Sequence, residues 1–289
     1  MLLQQCLQQG MPSIPSDGGS RLDDQAGGSL SSSTHAFTTL LKKRGGCVVL
    51  DGGMGTGLGR VGLSPKQCWT ASRNLDNASV RESVLAVHLQ FLTAGADILT
   101  ANTYNVSAAR ELRLCEIAGI ACTPKQAVAA EEQNIRANIA LAREAIAAFD
   151  VRNEDAGTPC PWDGVLAAAM GCFGSSIVGR GSTANRLQSS EKVALRVRGY
   201  GVLPAELEAF HRSRAAIAIA AGADALTFET IPDVLEAHAI AAVLDELRRT
   251  TSPYIEAIVT FTCRDAQNVD NGDPFEEAVA ALAKCAACV

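Results

Sequence analysis

Ala94-Gly95-Ala96-Asp97-Ile98-Leu99-Thr100-Ala101 and Ala221-Gly222-Ala223-Asp224-Ala225-Leu226-Thr227-Phe228 are two copies of one local design. In each, a helix-period segment runs into Gly, the residue suited to the left-handed position that closes a helix. Asp and a short apolar run follow. Upstream of the first copy, Val80, Val84, Val87, Phe91 and Leu92 recur at helical spacing, which predicts a helix over 79–94. Upstream of the second, the pattern predicts a helix over 205–221. One helix-to-strand joint is therefore used twice. Repeated βα units with unalternating apolar strands indicate a parallel sheet flanked by helices.

Outward from these joints the same beat continues. Short apolar runs at 47–50, 164–170 and 255–261 are further strands, and 123–149, 234–249 and 274–284 are helices. A doubly wound open sheet and a (β/α)8 TIM barrel both fit this alternation. Barrel chemistry gathers where strands end at their C-terminal edge. Polar residues collect there: Asp51, then Asn102 and Thr103, then Glu229 and Thr262. The barrel is the expected fold. Only five βα units are counted, and Val289 falls where a sixth strand is expected, so strands six to eight are expected to be missing. Val49, Ile98 and Val259 are then inward-facing residues with incomplete cover. Residues 1–36, rich in Gly, Ser, Gln and Pro, read as a disordered extension, and 37–289 as the incomplete barrel domain.

Composition narrows the class. Of 289 residues, 47% are hydrophobic, ample for a core. The 25 basic and 31 acidic residues give a net charge of −6, so nothing favours nucleic acid or an anionic membrane. No apolar run approaches the roughly 18–20 residues of a membrane span. The amino terminus lacks a basic n-region, and Arg21 stands among Asp17, Asp23 and Asp24, unlike a presequence. Ten scattered Cys do not form a disulfide framework. A cytoplasmic protein is expected.

Several segments invite chemistry. Gly57-x-Gly59-x-x-Gly62 formally matches a dinucleotide fingerprint and supports a nucleotide-dependent oxidoreductase as one alternative. The match starts seven residues after Leu50, however, and Pro65 is expected to interrupt any helix behind it. The glycines otherwise serve a tight loop that approaches a ligand. Asp51 either caps backbone N–H groups of that loop or faces a ligand. Glu229 ends an apolar strand, where a carboxylate requires a partner. Two carboxylates on one rim suit an amino-acid ammonium group, with structural ion pairing as the competing account. Cys285-x-x-Cys288 is half a zinc knuckle without its second half, so both Cys are read as small hydrophobes on a helical tail. Cys172 and Cys263 lie near the rim without a neighbouring base. The four His are dispersed, and His88 and His211 fit as polar packing residues in helices.

Five motifs carry a resemblance. They are 50–56 (LDGGMGT), 68–71 (CWTA), 94–104 (AGADILTANTY), 210–214 (FHRSR) with 221–232 (AGADALTFETIP), and 260–265 (TFTCRD). Together they resemble the homocysteine S-methyltransferase domain over about 37–289. The likeness is nearest to the S-methylmethionine-type enzymes, and more distant to betaine–homocysteine methyltransferase and the homocysteine module of cobalamin-dependent methionine synthase. The resemblance implies a (β/α)8 enzyme that moves a methyl group from a sulfonium donor to a zinc-activated homocysteine thiol, giving methionine. Asp51 and Glu229 match the acidic positions that hold the homocysteine amino group. Thr103, with Asn102 beside it, matches the rim that meets substrate. The resemblance places the zinc ligands in a Gly-x-Asn-Cys segment and a Gly-Gly-Cys-Cys pair, both expected beyond Val289. No residue of this chain is therefore expected as a metal ligand, and a non-catalytic barrel fragment is the other alternative. An insertion at 179–198 interrupts the donor-side loop, leaving Arg198-Gly199-Tyr200 as its end.

Overall fold

A computed structural model describes residues 35–157, 161–177 and 200–288. Of the expected extension 1–36, residues 1–34 lie outside the described residues, as does the 179–198 insertion, whereas Ala36 is buried and already opens a helix. Four parallel strands form one sheet in the order β1 (Ile98–Ala101), β2 (Val165–Gly171), β3 (Ala225–Ile231) and β4 (Ala257–Phe261). Each is separated from the next by helices, as parallel pairing requires. In chain order the helices are α1 (Ala36–Lys43), α2 (Met54–Arg60), α3 (Pro65–Thr70), α4 (Ala78–Thr93), α5 (Ala108–Ala118), α6 (Pro124–Asp155), α7 (Phe173–Ile177), α8 (Pro204–Ala220), α9 (Val234–Thr250) and α10 (Phe275–Leu282).

The two repeated joints are built alike. Gly95 and Gly222 sit at φ 90° and 89°, a conformation that L side chains rarely adopt. The Asp97 N–H donates to Val49 O at 2.8 Å, and its Oδ2 accepts the Val49 N–H at 2.9 Å. The Asp224 N–H donates to Leu166 O at 2.8 Å, and its Oδ2 accepts the Leu166 N–H at 2.9 Å. The second oxygen of each takes an arginine: Arg44 Nε at 2.6 Å for Asp97, Arg143 Nη2 at 2.7 Å for Asp224. Each aspartate thus ties its own strand to the preceding one in a fixed register.

That register divides the sheet into two faces. Leu99, Leu166, Ala168, Met170, Leu226 and Phe228 pack under the helices in the main core. Ile98, Val165, Ala167 and Ala225 face the other way, where Phe37 and Leu40 of α1 cover them. The Thr38 N–H holds α1 in place by donating to Glu256 Oε2 at 3.0 Å. Ile98 is therefore buried, against the expectation of incomplete cover, because the amino-terminal helix closes that end. Val49 is exposed as expected, and Val259 is half-buried.

Three further expectations are corrected. The run at 47–50 is not a full strand: only the Leu50–Ile98 bridge forms, flanked by the Val49 and Asp51 backbone bonds. So short a run, paired on one side among the described residues, has too few ladder bonds to extend. Pro65 does not interrupt a helix but opens α3, with Ser64 and Gln67 forming a capping box. Cys288 is not on a helical tail; it forms a parallel bridge with Ala257 at the far edge of β4. Among the described residues no helix is long and apolar enough to cross a membrane.

One core residue is costly. His88 on α4 is fully buried, and neither ring nitrogen has a hydrogen-bond partner among the described residues. Burial lowers its pKa to about 4. An uncharged orphan imidazole costs about 1–3 kcal/mol. His88→Leu is therefore expected to raise stability in urea melts at pH 7. Because its folded pKa lies below the ordinary His value near 6.5, wild-type stability is complete above pH 6.5 and falls between pH 6.5 and 4. The variant loses that part of the acid sensitivity, and identical acid titrations of the two proteins contradict the assignment.

Candidate active site

The inner face of the sheet is lined by small side chains toward its C-terminal end. Thr100, Ala169 and Thr227 leave space there, and a cavity of about 710 Å³ opens above them. Its other walls are the glycine loop at 52–55, Ile258 and Thr260 of β4, and Leu63, Pro65 and Cys68 at the α2–α3 corner. The glycine loop is a packing device as well as a wall. A Cβ on Gly57 would lie 2.6 Å from Val87 Cγ1, so glycine lets α2 seat closely on α4.

Asp51 and Glu229 both line this cavity. Asp51 follows the Leu50 bridge, and its carboxylate reaches across to β1. Thr100 donates its N–H to Asp51 Oδ2 at 2.7 Å, and its hydroxyl lies 3.0 and 2.9 Å from the two oxygens. The expected capping role therefore exists, but toward the neighbouring strand. Glu229 sits two residues beyond Thr227 on the same face, and the Thr227 hydroxyl donates to Glu229 Oε1 at 3.1 Å. Burial pushes the Asp51 carboxyl up to about 6, against the pull of the Thr100 hydrogen bonds. Burial pushes Glu229 up to about 7; the Thr227 hydroxyl opposes this and the Asp51 charge adds to it. No Lys, Arg or His is among the described residues that line the cavity. Two carboxylates thus share a partly buried pocket without a cation among the described residues.

The strand-two rim divides in two. Asn102 lines the cavity, and its Nδ2 is buried without a hydrogen-bond partner among the described residues. Thr103 turns away: its hydroxyl donates to Ala169 O at 2.7 Å, its N–H to Ala101 O at 2.7 Å, and it is buried between β1 and β2. Thr103 ties the rim together and does not reach the cavity. Thr100, Thr227 and Tyr104 were not singled out from sequence, although the period-two spacing of Thr227 and Glu229 signals their common face.

Beneath the rim, the segment 210–214 supplies support. Arg214 is fully buried and donates to Gly171 O at 2.8 Å and Tyr104 O at 3.0 Å, with its guanidinium 4.7 Å over the Phe210 ring. His211 Nε2 lies 2.8 Å from Glu236 Oε1, which also accepts the Phe173 N–H at 2.6 Å. His211 is thus a packing residue with a specific partner.

The donor set does not fit a structural or catalytic zinc, which takes three or four Cys, His or carboxylate ligands. Among the described residues no three such side chains lie together. Cys68, the cysteine of the cavity wall, donates weakly to Leu63 O at 3.6 Å, and burial raises its pKa, so it is held as a thiol.

Comparison with known proteins identifies a family. The family model for homocysteine S-methyltransferase matches residues 48–289. Homocysteine S-methyltransferase 4 of Zea mays is 29% identical over 250 residues, covering 86% of this chain and 65% of that protein. The homocysteine S-methyltransferase of Escherichia coli is 29% identical over 238 residues, covering 82% and 65%. Selenocysteine Se-methyltransferase of Brassica oleracea var. italica is 29% identical, covering 87% and 66%. The chain therefore spans about two thirds of the length of these relatives. The metallated form of the homocysteine methyltransferase MmuM from Escherichia coli superposes with a TM-score of 0.64 at 27% identity, covering 86% of this chain and 76% of that one.

Raised carboxyl pKa values carry a stability signature. For Glu229 the folded value lies above the ordinary one, so the protein is penalised as pH rises from about 4.5 through about 7. Glu229→Gln is expected to stabilise the ligand-free protein at pH 8, on the order of 1–3 kcal/mol, and to leave it unchanged at pH 4. Chemical denaturation at both pH values measures this, and a destabilised variant at pH 8 contradicts it.

Proposed function

The chain belongs to the homocysteine S-methyltransferase family, and from that premise we propose that its cavity binds homocysteine for methyl transfer from a sulfonium donor such as S-methylmethionine or S-adenosylmethionine. The observation that carries the reading is the pair Asp51 and Glu229, two carboxylates in one cavity with no basic side chain among its described lining residues. A ligand that brings its own ammonium resolves this imbalance, since a charge-assisted hydrogen bond to each carboxylate replaces the water it has lost. The unpartnered Nδ2 of Asn102 supplies a donor for the amino-acid carboxylate.

With the amino acid held at Asp51, Glu229 and Asn102, its thiol extends into the remaining space under the α2–α3 corner. In the transfer, the sulfur lone pair forms the new S–CH3 bond in line with the breaking bond. The breaking bond leaves its electron pair on the donor sulfur, which becomes a neutral thioether, and the thiol proton is released. Because the attack is a simple displacement, holding the two sulfurs and the methyl carbon in line supplies much of the acceleration. A second reading, an amino-acid-thiol binder without turnover, is favoured by the lack of a three-ligand cluster among the described residues. Formation of methionine from homocysteine and S-methylmethionine distinguishes the two.

Binding is expected to depend on pH in a defined direction. An ammonium ligand needs both carboxylates ionised, so affinity falls as pH drops from about 8 through the Glu229 value near 7 and the Asp51 value near 6. Near pH 6.5 homocysteine binding releases protons, measurable by calorimetry in buffers of different ionisation enthalpy. Asp51→Asn and Glu229→Gln are each expected to weaken binding by about 1.5–3 kcal/mol. Unchanged affinity in both variants, together with no proton release, sinks the assignment.

A further inference from the structure

The C-terminal end of β3 departs from regular geometry. Its pairing with β4 shifts between Phe228 and Ile231. Thr230, at that step, has φ 60° and is the sole non-glycine residue with positive φ among the described residues. A β-branched side chain in the left-handed region is strained and persists only where its surroundings over-determine it. In a regular strand Thr230 would share the face of Phe228 and lie under the helices. Instead it lines the cavity next to Glu229, so two consecutive side chains face the same space.

Hydroxyl groups hold this arrangement from three sides. The Thr230 hydroxyl lies 2.6 Å from Glu229 O, to which it donates its one proton. The Tyr104 hydroxyl, from the loop after β1, lies 2.6 Å from Thr230 Oγ1 and is therefore the donor in that pair. The Thr230 N–H donates to the Thr260 hydroxyl on β4 at 3.1 Å. The peptide plane between Glu229 and Thr230 is thus pinned on its carbonyl side by Thr230 and on its amide side by Thr260. The direction of a side chain beside a bulge follows the peptide planes on either side of it. This plane therefore carries the Glu229 carboxylate.

We propose that Thr230 is a positioning residue: the Tyr104–Thr230–Thr260 hydroxyl latch holds the β3 bulge in its left-handed form and so keeps the Glu229 carboxylate turned into the cavity beside Asp51. Its consequence for affinity rests on the assignment of Glu229 as an ammonium ligand, whereas the latch itself is testable without any ligand. Strain at this position concentrates where a charge must be placed, as bulges beside functional sites commonly do.

The test is a carbon-13 titration of the glutamate carboxyls in the full chain, with the Glu229 signal assigned from Glu229→Gln. Wild type is expected to titrate near 7. Tyr104→Phe and Thr230→Val keep the shapes and remove one latch hydroxyl each; in both, the Glu229 midpoint is expected to fall by roughly one pH unit or more as the carboxylate gains solvent. Thr230→Ser keeps the hydroxyl and is expected to retain the wild-type midpoint, which a purely steric role for Thr230 does not predict. Calorimetry with homocysteine is expected to show roughly tenfold weaker binding in Tyr104→Phe and Thr230→Val, but not in Thr230→Ser. A folded Tyr104→Phe or Thr230→Val protein whose Glu229 titrates as in wild type overturns the latch. Should wild type bind no homocysteine, the functional reading fails while the carboxyl titration still decides the latch.

Discussion

The register imposed by two aspartates governs everything at the cavity. Because side chains alternate along a strand, a slip of one residue would exchange the faces of a whole strand. Asp97 prevents this at one edge by both donating to and accepting from the Val49 backbone. With Val49 fixed opposite Asp97, the Asp51 N–H meets Ile98 O, and the Asp51 carboxylate meets Thr100. Asp224 does the same against Leu166, which sets Gly171 opposite Glu229 and puts Ala169 and Thr227 on the inner face. The two carboxylates share one cavity because two other carboxylates fix the strands that carry them. Arginine on the second oxygen of each joint keeps those partly buried charges paired.

Given this register, the distribution of side-chain size decides where space is left. At the N-terminal end of the inner face, Ile98 and Val165 meet Phe37 and Leu40, and the sheet is closed. Toward the other end the inner residues shrink to Ala and Thr, which cannot fill the concave surface. The outer face follows the opposite rule, with Leu166, Met170, Leu226 and Phe228 filling the layer beneath the helices. Rigidity and vacancy are thus arranged on opposite sides of the same strands. This is the arrangement that suits a binding site on a parallel sheet.

Much of this was legible from the sequence where one residue type has one physical use. The Ala-Gly-Ala-Asp joints, the long helices and the strand-end acids Asp51 and Glu229 all follow from periodicity and local chemistry. Legibility failed where backbone geometry, not composition, decides. Thr103 occupies a turn after β1, where alternation no longer predicts direction, and it points between strands. Pro65 marks a helix start because Ser64 caps it, a distinction that the proline alone does not make. The α5 helix was not anticipated, since its apolar spacing is interrupted by Arg110, Glu111 and Arg113. The run 47–50 carries strand-like residues, yet only a bridge forms because ladder bonds, not propensity, define a strand. The left-handed conformation of Thr230 has no sequence signature at all, since threonine is among the residues least suited to it.

Several energetic costs meet at the cavity. Asp51 and Glu229 have raised proton affinities, Asn102 keeps a buried donor without a partner among the described residues, and Thr230 is strained, all around a single cavity. The supporting side chains near the sheet have specific partners: Arg214 bonds two carbonyls, His211 bonds Glu236, and Asp224 bonds Arg143. On the proposed reading a zwitterionic ligand relieves the carboxyl and Asn102 costs, since an ammonium lowers both carboxyl pKa values and a carboxylate accepts from Asn102. Whatever such a ligand restores appears as binding free energy and as stabilisation of the folded chain. On that reading, ligand binding and folding of the chain are thermodynamically coupled through the same two carboxylates.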